Sequence, residues 1–333
     1  MRNKIILTAV FLLLFTVLLS SAVLAEGRVA IVFATGGLGD QSFNDAAFEG
    51  VKAAREKYGV KFDAAEPASI SEYETYLTQF SALNRYDLII SIGFDQADAL
   101  SNVSQRFPDQ SYAIVDTVVD QPNVASYVYA EKERGFLMGA AAALMTTRTD
   151  NEMINSEKVI GVIGGMKIPL IDQNIAGYMA GAEYIAPEVE VIHSYVGAWA
   201  DPAKGKELAT SMIEQGADVI WGAAGRSGLG VLTAAEENNI YGIGADSDQG
   251  DVAPGHILTN GMKFVNNTVE RAIMQVMEGQ FEPGVHVLGV KEEGLGYTES
   301  LLPADVIEEL EEIETKIAAG EIEIPATIEE ARN

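Results

Sequence analysis

Short apolar runs alternate along the chain with longer segments in which apolar residues recur at every third or fourth position. The apolar run at 28–34 precedes a helical pattern at 44–58, and the same order returns at 87–92 and 96–107. Short runs bounded by glycine are typical of strands buried on both faces, and the three-and-four spacing is typical of helices. The alternation predicts βαβ units with parallel sheets, and therefore an α/β fold.

The second half of the chain repeats the order of the first. The segment from Asp87 to Asp116 has a counterpart from Asp218 to Asp246, and each contains an acid-led strand, a glycine loop, a helix and a strand that ends in aspartate. We interpret the repeat as two similar, Rossmann-like lobes. Ligands bind at the carboxyl ends of strands in open α/β sheets, so the lobes are expected to face each other across a cleft that a hinge can close.

The first 25 residues carry the features of an export signal. Arg2 and Lys4 precede an apolar run at 5–19, and residues 23–25 form a small-residue cleavage site. We predict cleavage after Ala25, with an uncleaved membrane anchor as the alternative. The protein is then expected to be exported, periplasmic or extracellular, and not lipid-anchored through cysteine.

The chain after residue 25 is long enough for two domains, and we divide it between the two lobes. The segment after residue 258 is expected to cross back to the first lobe, and the acidic C-terminal helix is expected to return to the second. The predicted N-terminal lobe contains residues 26–126 and 259–290, and the predicted C-terminal lobe contains residues 127–258 and 291–333.

Acidic side chains dominate the composition. The chain has 49 acidic and 22 basic residues and a formal net charge of −27. A surface of this kind repels phosphate backbones, so we predict no nucleic-acid partner. It also disfavours an anionic ligand, because the sequence has no basic cluster that would form a local anion site. The chain has no cysteine, which excludes a disulfide framework.

The glycine-rich stretch GGLGDQSFNDAAFEG at 36–50 follows the first predicted strand and leads into a helix. Its glycine spacing does not fit the G-x-G-x-x-G dinucleotide fingerprint, and no lysine follows as in a P-loop. His193, His256 and His286 are far apart in the sequence, and the G-x-S-x-G motif is absent. We therefore predict no catalytic residue, no metal site and no cofactor.

The remaining polar groups suit a neutral, polar ligand. Carboxylates at strand ends, such as Asp116 and Asp246, accept hydrogen bonds from hydroxyl and N–H groups. Aromatic faces stack on planar rings. The predicted ligand-binding residues are Asp40, Ser42, Phe43, Asn44, Phe94, Asp116, Trp199, Trp221, Gly225, Asp246 and Lys263.

Three of these residues have simpler structural interpretations. Asp40 lies just before a predicted helix, where an acid often caps the free N–H groups. Phe43 would also suit a place in the core, and Trp221 would suit a buried strand. Each position alone is ambiguous, so the prediction rests on the pattern that they form together.

A series of motifs in a fixed order resembles one family over nearly the whole chain after residue 25. The motifs include GGLGDQSFN at 36–44, IVD at 114–116, WADPAKGKELA at 199–209, AAGRSGLGV at 223–231 and GADSDQ at 244–249. They are similar to those of the basic membrane protein family of ABC-transporter solute-binding proteins, which includes purine nucleoside receptor lipoproteins. The resemblance implies a type I periplasmic-binding-protein fold, with a three-crossing hinge and a nucleoside in the cleft.

The resemblance also implies a role for several residues, position by position. Phe43 is expected to stack on the base, and Asn44 and Asp116 are expected to bind the edges of the base. Asp246 and Lys263 are expected to bind the ribose. These roles follow from the family resemblance alone.

Other positions fit the family pattern less well. Trp221 falls where a second stacking aromatic is expected, with Trp199 as the alternative. Ala34 stands where the nucleoside-binding branch usually has an aspartate, which removes one contact to the base. Arg226 stands within a usually uncharged glycine turn and places a guanidinium near the cleft.

We therefore expect a non-catalytic, monomeric receptor that captures a nucleoside and delivers it to an ABC permease in the membrane. A purine nucleoside is the expected ligand. Riboflavin or a free nucleobase is the alternative ligand. A nucleoside-processing enzyme is a more remote alternative, and the same sequence features would also suit a sensor.

Overall fold

The computed structural model describes residues 27–148 and 150–332, so the predicted export signal lies outside the described residues. The strands are β1 Arg28–Val32, β2 Lys61–Ala65, β3 Leu88–Ile92, β4 Tyr112–Val115, β5 Val124–Tyr129, β6 Val159–Gly164, β7 Glu190–Tyr195, β8 Ala217–Ala223, β9 Tyr241–Asp246, β10 Ile257–Lys263, β11 Gly284–Leu288 and β12 Leu295–Tyr297. The helices are α1 Phe43–Tyr58, α2 Tyr73–Ala82, α3 Ala97–Arg106, α4 Glu131–Thr146, α5 Pro169–Ile185, α6 Pro202–Glu214, α7 Gly228–Glu237, α8 Val265–Met277 and α9 Ala304–Ala318.

The strands form two six-stranded sheets with matching order. The first sheet runs β11-β5-β4-β3-β1-β2 and the second runs β12-β10-β9-β8-β6-β7. Every neighbouring pair is parallel except β10 with β12, which is antiparallel. We call each sheet with the helices packed on it a lobe. The predicted α/β fold with two similar parallel lobes is confirmed.

The chain passes between the lobes three times. The first passage follows β5, after which the chain enters the second lobe. The second passage follows β10, after which α8 packs on α1 of the first lobe. The third passage lies between β11 and β12. The predicted boundaries at 126 and 258 fall inside β5 and β10, because both strands continue to pair with their sheets for several more residues. The treatment of each lobe as a separate domain stays a prediction.

Buried strands and apolar helix faces supply the core on both sides of each sheet. Strands β3, β6, β8 and β9 are buried throughout, as expected of parallel strands covered on both faces. Within the described residues, no helix is both long enough and apolar enough to cross a membrane.

Helices α4 and α5 pack with their backbones in contact, and glycine makes this possible. A methyl group added at Gly139 would stand 1.9 Å from the Tyr178 carbonyl oxygen, and one at Gly181 would stand 2.0 Å from that of Phe136. No side-chain carbon fits at these distances. Because α4 also carries polar residues of the site described below, the crossing fixes where they stand.

We expect Gly139→Ala to lower the free energy of unfolding by about 1–3 kcal/mol, although alanine is the better helix former, because the methyl group must push the two helices apart. Urea denaturation followed by circular dichroism measures the change. In the control Gly250→Ala, the nearest atom to the new methyl group is a carboxylate oxygen of Asp248 at 3.2 Å. Equal losses in the two variants would contradict the close packing of the helices.

Candidate functional site

A cavity lies between the carboxyl ends of the two sheets. The space between its lining atoms, including the open mouth, is about 660 Å³. Both lobes contribute to this interlobe cavity. Its lining residues are Ala34, Thr35, Gly36, Asp40, Phe43, Asn44, Gly93, Phe94, Asp95, Asp116, Arg134, Leu170, Ile171, Trp199, Ala223, Gly225, Arg226, Asp246 and Lys263.

Two equivalent aspartates mark the strand ends at this cavity. Asp116 directly follows β4, Asp246 ends β9, and their φ angles are 73° and 68°. A residue with a side chain adopts this left-handed region at a cost of about 1–3 kcal/mol, and such residues cluster at functional sites. The two lobes therefore share both the position of the aspartate and its unusual backbone conformation.

Lys263 joins one of these aspartates to the hinge. Its Nζ lies 3.0 and 2.9 Å from the two carboxylate oxygens of Asp116 and 2.6 Å from Oε1 of Glu131. Lys263 ends β10 just before one passage between lobes, and Glu131 begins α4 just after another. The ammonium therefore connects Asp116 of the first lobe to the chain at two of the three passages between the lobes, which we call the hinge segments.

Arg134 extends these contacts to the other aspartate. Its guanidinium donates to Oδ1 of Asp246 and lies 2.8 Å from Oε2 of Glu131, and its Nε donates to Asn174. We call Asp116, Glu131, Arg134, Asp246 and Lys263 the charge network. It contains three carboxylates and two cations, all with side chains no more than 10% exposed. The network therefore has a net charge of minus one when every carboxyl is ionised.

The two aspartates of the network titrate differently. Burial raises the pKa of Asp116 to about 6, against the opposing effect of the Lys263 ammonium. Burial also acts on Asp246, but the cations of Arg134 and Lys263 hold the pKa of that carboxyl below its usual value. Equivalent positions in the two lobes thus carry carboxyls of different acidity.

Asp40 and Asn44 line the cavity and also hold the start of α1. The Asp40 carboxylate accepts hydrogen bonds from the backbone N–H groups of Ser42, Asn44 and Asp45 at 2.9–3.1 Å. Oδ1 of Asn44 accepts from the N–H of Ala34 at 2.9 Å. The simpler interpretation of Asp40 as a helix cap is therefore confirmed.

Aromatic rings from both lobes meet in the cavity. Phe94 follows β3 in the first lobe and Trp199 follows β7 in the second, and their ring centres are 6.5 Å apart. Phe43 lies beneath the Lys263 ammonium, which is 5.2 Å from the centre of its ring. Gly225 lines the wall beside Trp199, with φ of 56°.

Trp221 is not in the cavity, so its predicted stacking role is wrong. The side chain is fully buried in β8, where its ring lies 5.8 Å from that of Tyr178 and its Nε1 donates to the Gly244 carbonyl. The ring therefore packs against helix α5, and the guanidinium of Arg134 lies 5.5 Å from its centre. Trp199, the predicted alternative, lines the cavity.

Ser42 also lies outside the lining, but it contacts the network. Its hydroxyl is buried and donates to Oδ2 of Asp246 at 2.5 Å, across the boundary between the lobes. The Asp246 carboxylate is therefore held by Ser42 of the first lobe and by Arg134.

Sequence reasoning missed several polar groups of the site. Glu131 and Arg134 are the ends of the charged run EKER that begins an otherwise apolar helix, and the three-residue spacing that places them on one helix face was the available signal. Asp95 lines the cavity and accepts from Tyr73 and Thr35, and burial raises its pKa. Asp95 directly follows the predicted Phe94, but a single acid in a short 3₁₀ turn gives no sequence signal of its own.

Comparisons with known proteins identify the family. Residues 28–328 match the family model described as ABC transporter substrate-binding protein PnrA-like. An uncharacterised lipoprotein of Pyrococcus horikoshii is 33% identical over 282 residues, which cover 81% of this chain and 68% of that protein. A Lactococcus lactis subsp. cremoris protein named ABC transporter nucleoside-binding protein BmpA is 30% identical over 330 residues, which cover 92% of this chain and 91% of that protein.

A solved structure shows the same relationship in three dimensions. The ABC transporter system solute-binding protein of Aeropyrum pernix K1 superimposes with a TM-score of 0.82 at 30% identity, over 92% of this chain and 95% of that chain. A sugar-binding protein of Bacillus halodurans, at 17% identity and a TM-score of 0.64, shares the fold. The chain belongs to the family of PnrA-like ABC transporter substrate-binding proteins.

Proposed function

We propose that the protein captures a nucleoside in the interlobe cavity and delivers it to an ABC permease. The main support is the lining of the cavity, which combines aromatic rings from both lobes with buried hydrogen-bonding groups at the strand ends. A nucleoside needs both features, because its base offers a flat face and its ribose offers hydroxyl groups. The Lactococcus lactis relative is named as nucleoside-binding, which agrees with this proposal.

In this proposal the two parts of the ligand contact different groups. The base lies among Phe43, Phe94 and Trp199, and the ribose hydroxyls approach Asp246 and Lys263. Each oxygen of the Asp246 carboxylate already accepts one hydrogen bond, and each has a second lone pair for a hydroxyl donor. The bonds from Ser42 and Arg134 would hold that carboxylate in place, so that little order is lost on binding.

The location and partner follow from the family. Substrate-binding proteins of ABC importers work outside the cytoplasm, and they pass their ligand to a membrane permease. We infer that this chain is a non-enzymatic, monomeric member. It has no cysteine, whereas the Pyrococcus horikoshii relative is named a lipoprotein. A form without a cysteine-linked lipid remains our prediction.

Two positions in the cavity lining also suit other ligands. Arg226 lines the cavity, and Ala34 stands where the nucleoside-binding branch usually has an aspartate. A guanidinium recognises carbonyl oxygens, which nucleobases and the flavin ring also present. Riboflavin and free nucleobases are therefore the alternative ligands.

The direct test is to identify what the protein binds. Protein purified without refolding is denatured, and released small molecules are identified by mass spectrometry. Calorimetry with purine and pyrimidine nucleosides, free bases and riboflavin then ranks the candidates. We expect a purine nucleoside to bind most tightly and to be recovered intact after long incubation. Tightest binding of riboflavin or a base would reject the nucleoside, and turnover would reject the receptor.

A phosphate on the nucleoside should weaken binding. The charge network carries one excess negative charge, so we expect inosine 5′-monophosphate to bind at least about 10-fold more weakly than inosine. Calorimetry at two salt concentrations measures the difference. 5′-O-acetylinosine, which is neutral, is the control for size. If the acetyl and phosphate derivatives lose the same affinity, space and not charge excludes the phosphate.

The two tryptophans provide a fluorescence test of the aromatic assignment. The chain contains 2 tryptophans, one lining the cavity and one fully buried. We expect inosine to change the emission of the wild-type protein and of Trp221→Phe, but not that of Trp199→Phe. Loss of the signal in Trp221→Phe alone would place the ligand elsewhere.

Removing the charge of Asp246 tests the site of the ribose. We expect Asp246→Asn to weaken inosine binding by about 10- to 100-fold and hypoxanthine binding much less, because charge-assisted hydrogen bonds to the ribose are lost. Asp218→Asn is the matched control, since Asp218 is also buried but is held by Thr146 and Asn155 and does not line the cavity. Equal losses for nucleoside and base in Asp246→Asn would separate Asp246 from the ribose.

A further inference from the structure

The glycine-rich segment 36–42, which we call the glycine loop, has several N–H groups that donate to acids of its own lobe. Leu38 N–H donates to Glu66 at 3.0 Å. The N–H groups of Gly39 and Gln41 donate to the two carboxylate oxygens of Asp45 at 2.8 and 2.9 Å. These bonds hold the loop rigidly on the first lobe.

The carbonyl groups of the same loop face the second lobe. The Leu38 carbonyl accepts from the Arg226 guanidinium, and the Gln41 carbonyl accepts from Nε2 of Gln249 at 2.9 Å. The Ser42 carbonyl accepts from the hydroxyl of Ser247 at 3.3 Å. The loop therefore offers a fixed row of acceptors to donors of the opposite lobe.

Gln249 is the donor best suited to act without touching a ligand. Its side chain is 3% exposed and does not belong to the cavity lining. Its Oε1 accepts from the N–H of Ala245 at 2.9 Å, and its own N–H donates to Asn260 at 3.1 Å. These contacts lie within the second lobe and aim Nε2 at the Gln41 carbonyl.

We propose that Gln249 is a positioning residue that stabilises the closed arrangement of the two lobes. Its bond to Gln41 forms only when the lobes meet, so it favours the closed state whether or not a ligand is present. A ligand that binds the closed state then binds more tightly in proportion to the closed population. Gln249 thereby raises the affinity for every ligand by the same factor and leaves the preference among ligands unchanged.

The decisive variant is Gln249→Glu. One carboxylate oxygen retains the bond from the Ala245 N–H, and the other places an acceptor against the Gln41 carbonyl, where the wild-type amide donates. Gln249→Ala removes both bonds. The control is Gln215→Glu, because the Gln215 amide is exposed and donates to the Ser211 carbonyl within the same lobe.

Small-angle scattering without added ligand measures closure directly. We expect a larger radius of gyration for Gln249→Glu than for the wild type, an intermediate or equal increase for Gln249→Ala, and no change for Gln215→Glu. This measurement does not depend on the identity of the ligand. An unchanged radius of gyration in Gln249→Glu overturns the proposal. This holds even if urea denaturation shows that the variant is less stable, because a loss of stability without opening of the lobes is not a positioning role.

Binding of inosine and hypoxanthine tests the second part, which rests on the proposed function. We expect Gln249→Glu to raise both dissociation constants by about 3- to 10-fold, the effect of one modest hydrogen bond, with their ratio unchanged. A changed ratio would make Gln249 a specificity residue and contradict a purely positional role. If neither compound binds the wild type, the nucleoside proposal fails, and the scattering result alone decides the role of Gln249.

Discussion

The buried ion pairs of Lys263 are the interaction on which the site depends. Removing two charges from water costs several kcal/mol per ion, and a pair offsets that cost only when geometry and further hydrogen bonds are good. Lys263 meets this condition with three carboxylate oxygens from Asp116 and Glu131. Because these residues belong to different lobes or hinge segments, the contacts that neutralise the ammonium also set the relative position of the two sheets.

The duplicated lobes have become chemically different at the same place. Asp116 and Asp246 share a position and a left-handed backbone, yet the pKa of one is raised and that of the other is lowered. The difference comes from neighbours outside the repeat, since Arg134 of α4 forms an ion pair with Asp246, whereas Asp116 is paired with Lys263. Two copies of one fold thus present two distinct acceptors to a ligand, and an unsymmetrical molecule can bind in one orientation.

The sequence predicted the fold well because buried parallel strands leave a plain apolar signal and the repeat supplies it twice. Strand ends were predictable for the same reason, and Asp116, Asp246 and Lys263 stand together at the cavity as expected. Trp221 was misassigned because a strand buried on both faces has no polar side to show where a ring points. Glu131 and Arg134 were missed because an acid and a base in the first turns of a helix are common on protein surfaces.

The crossing of α4 and α5 has a consequence for how the site can change over evolutionary time. Backbones that touch at glycine leave no room to shift either helix, so Glu131 and Arg134 are carried on a wall that tolerates little redesign. The turn that bears Arg226 is a short segment between β8 and α7, and the Arg226 side chain lines the cavity outside the crossing of α4 and α5. New ligands would therefore be accommodated first by exchange of side chains in that turn, while the helices behind the charged groups keep their spacing.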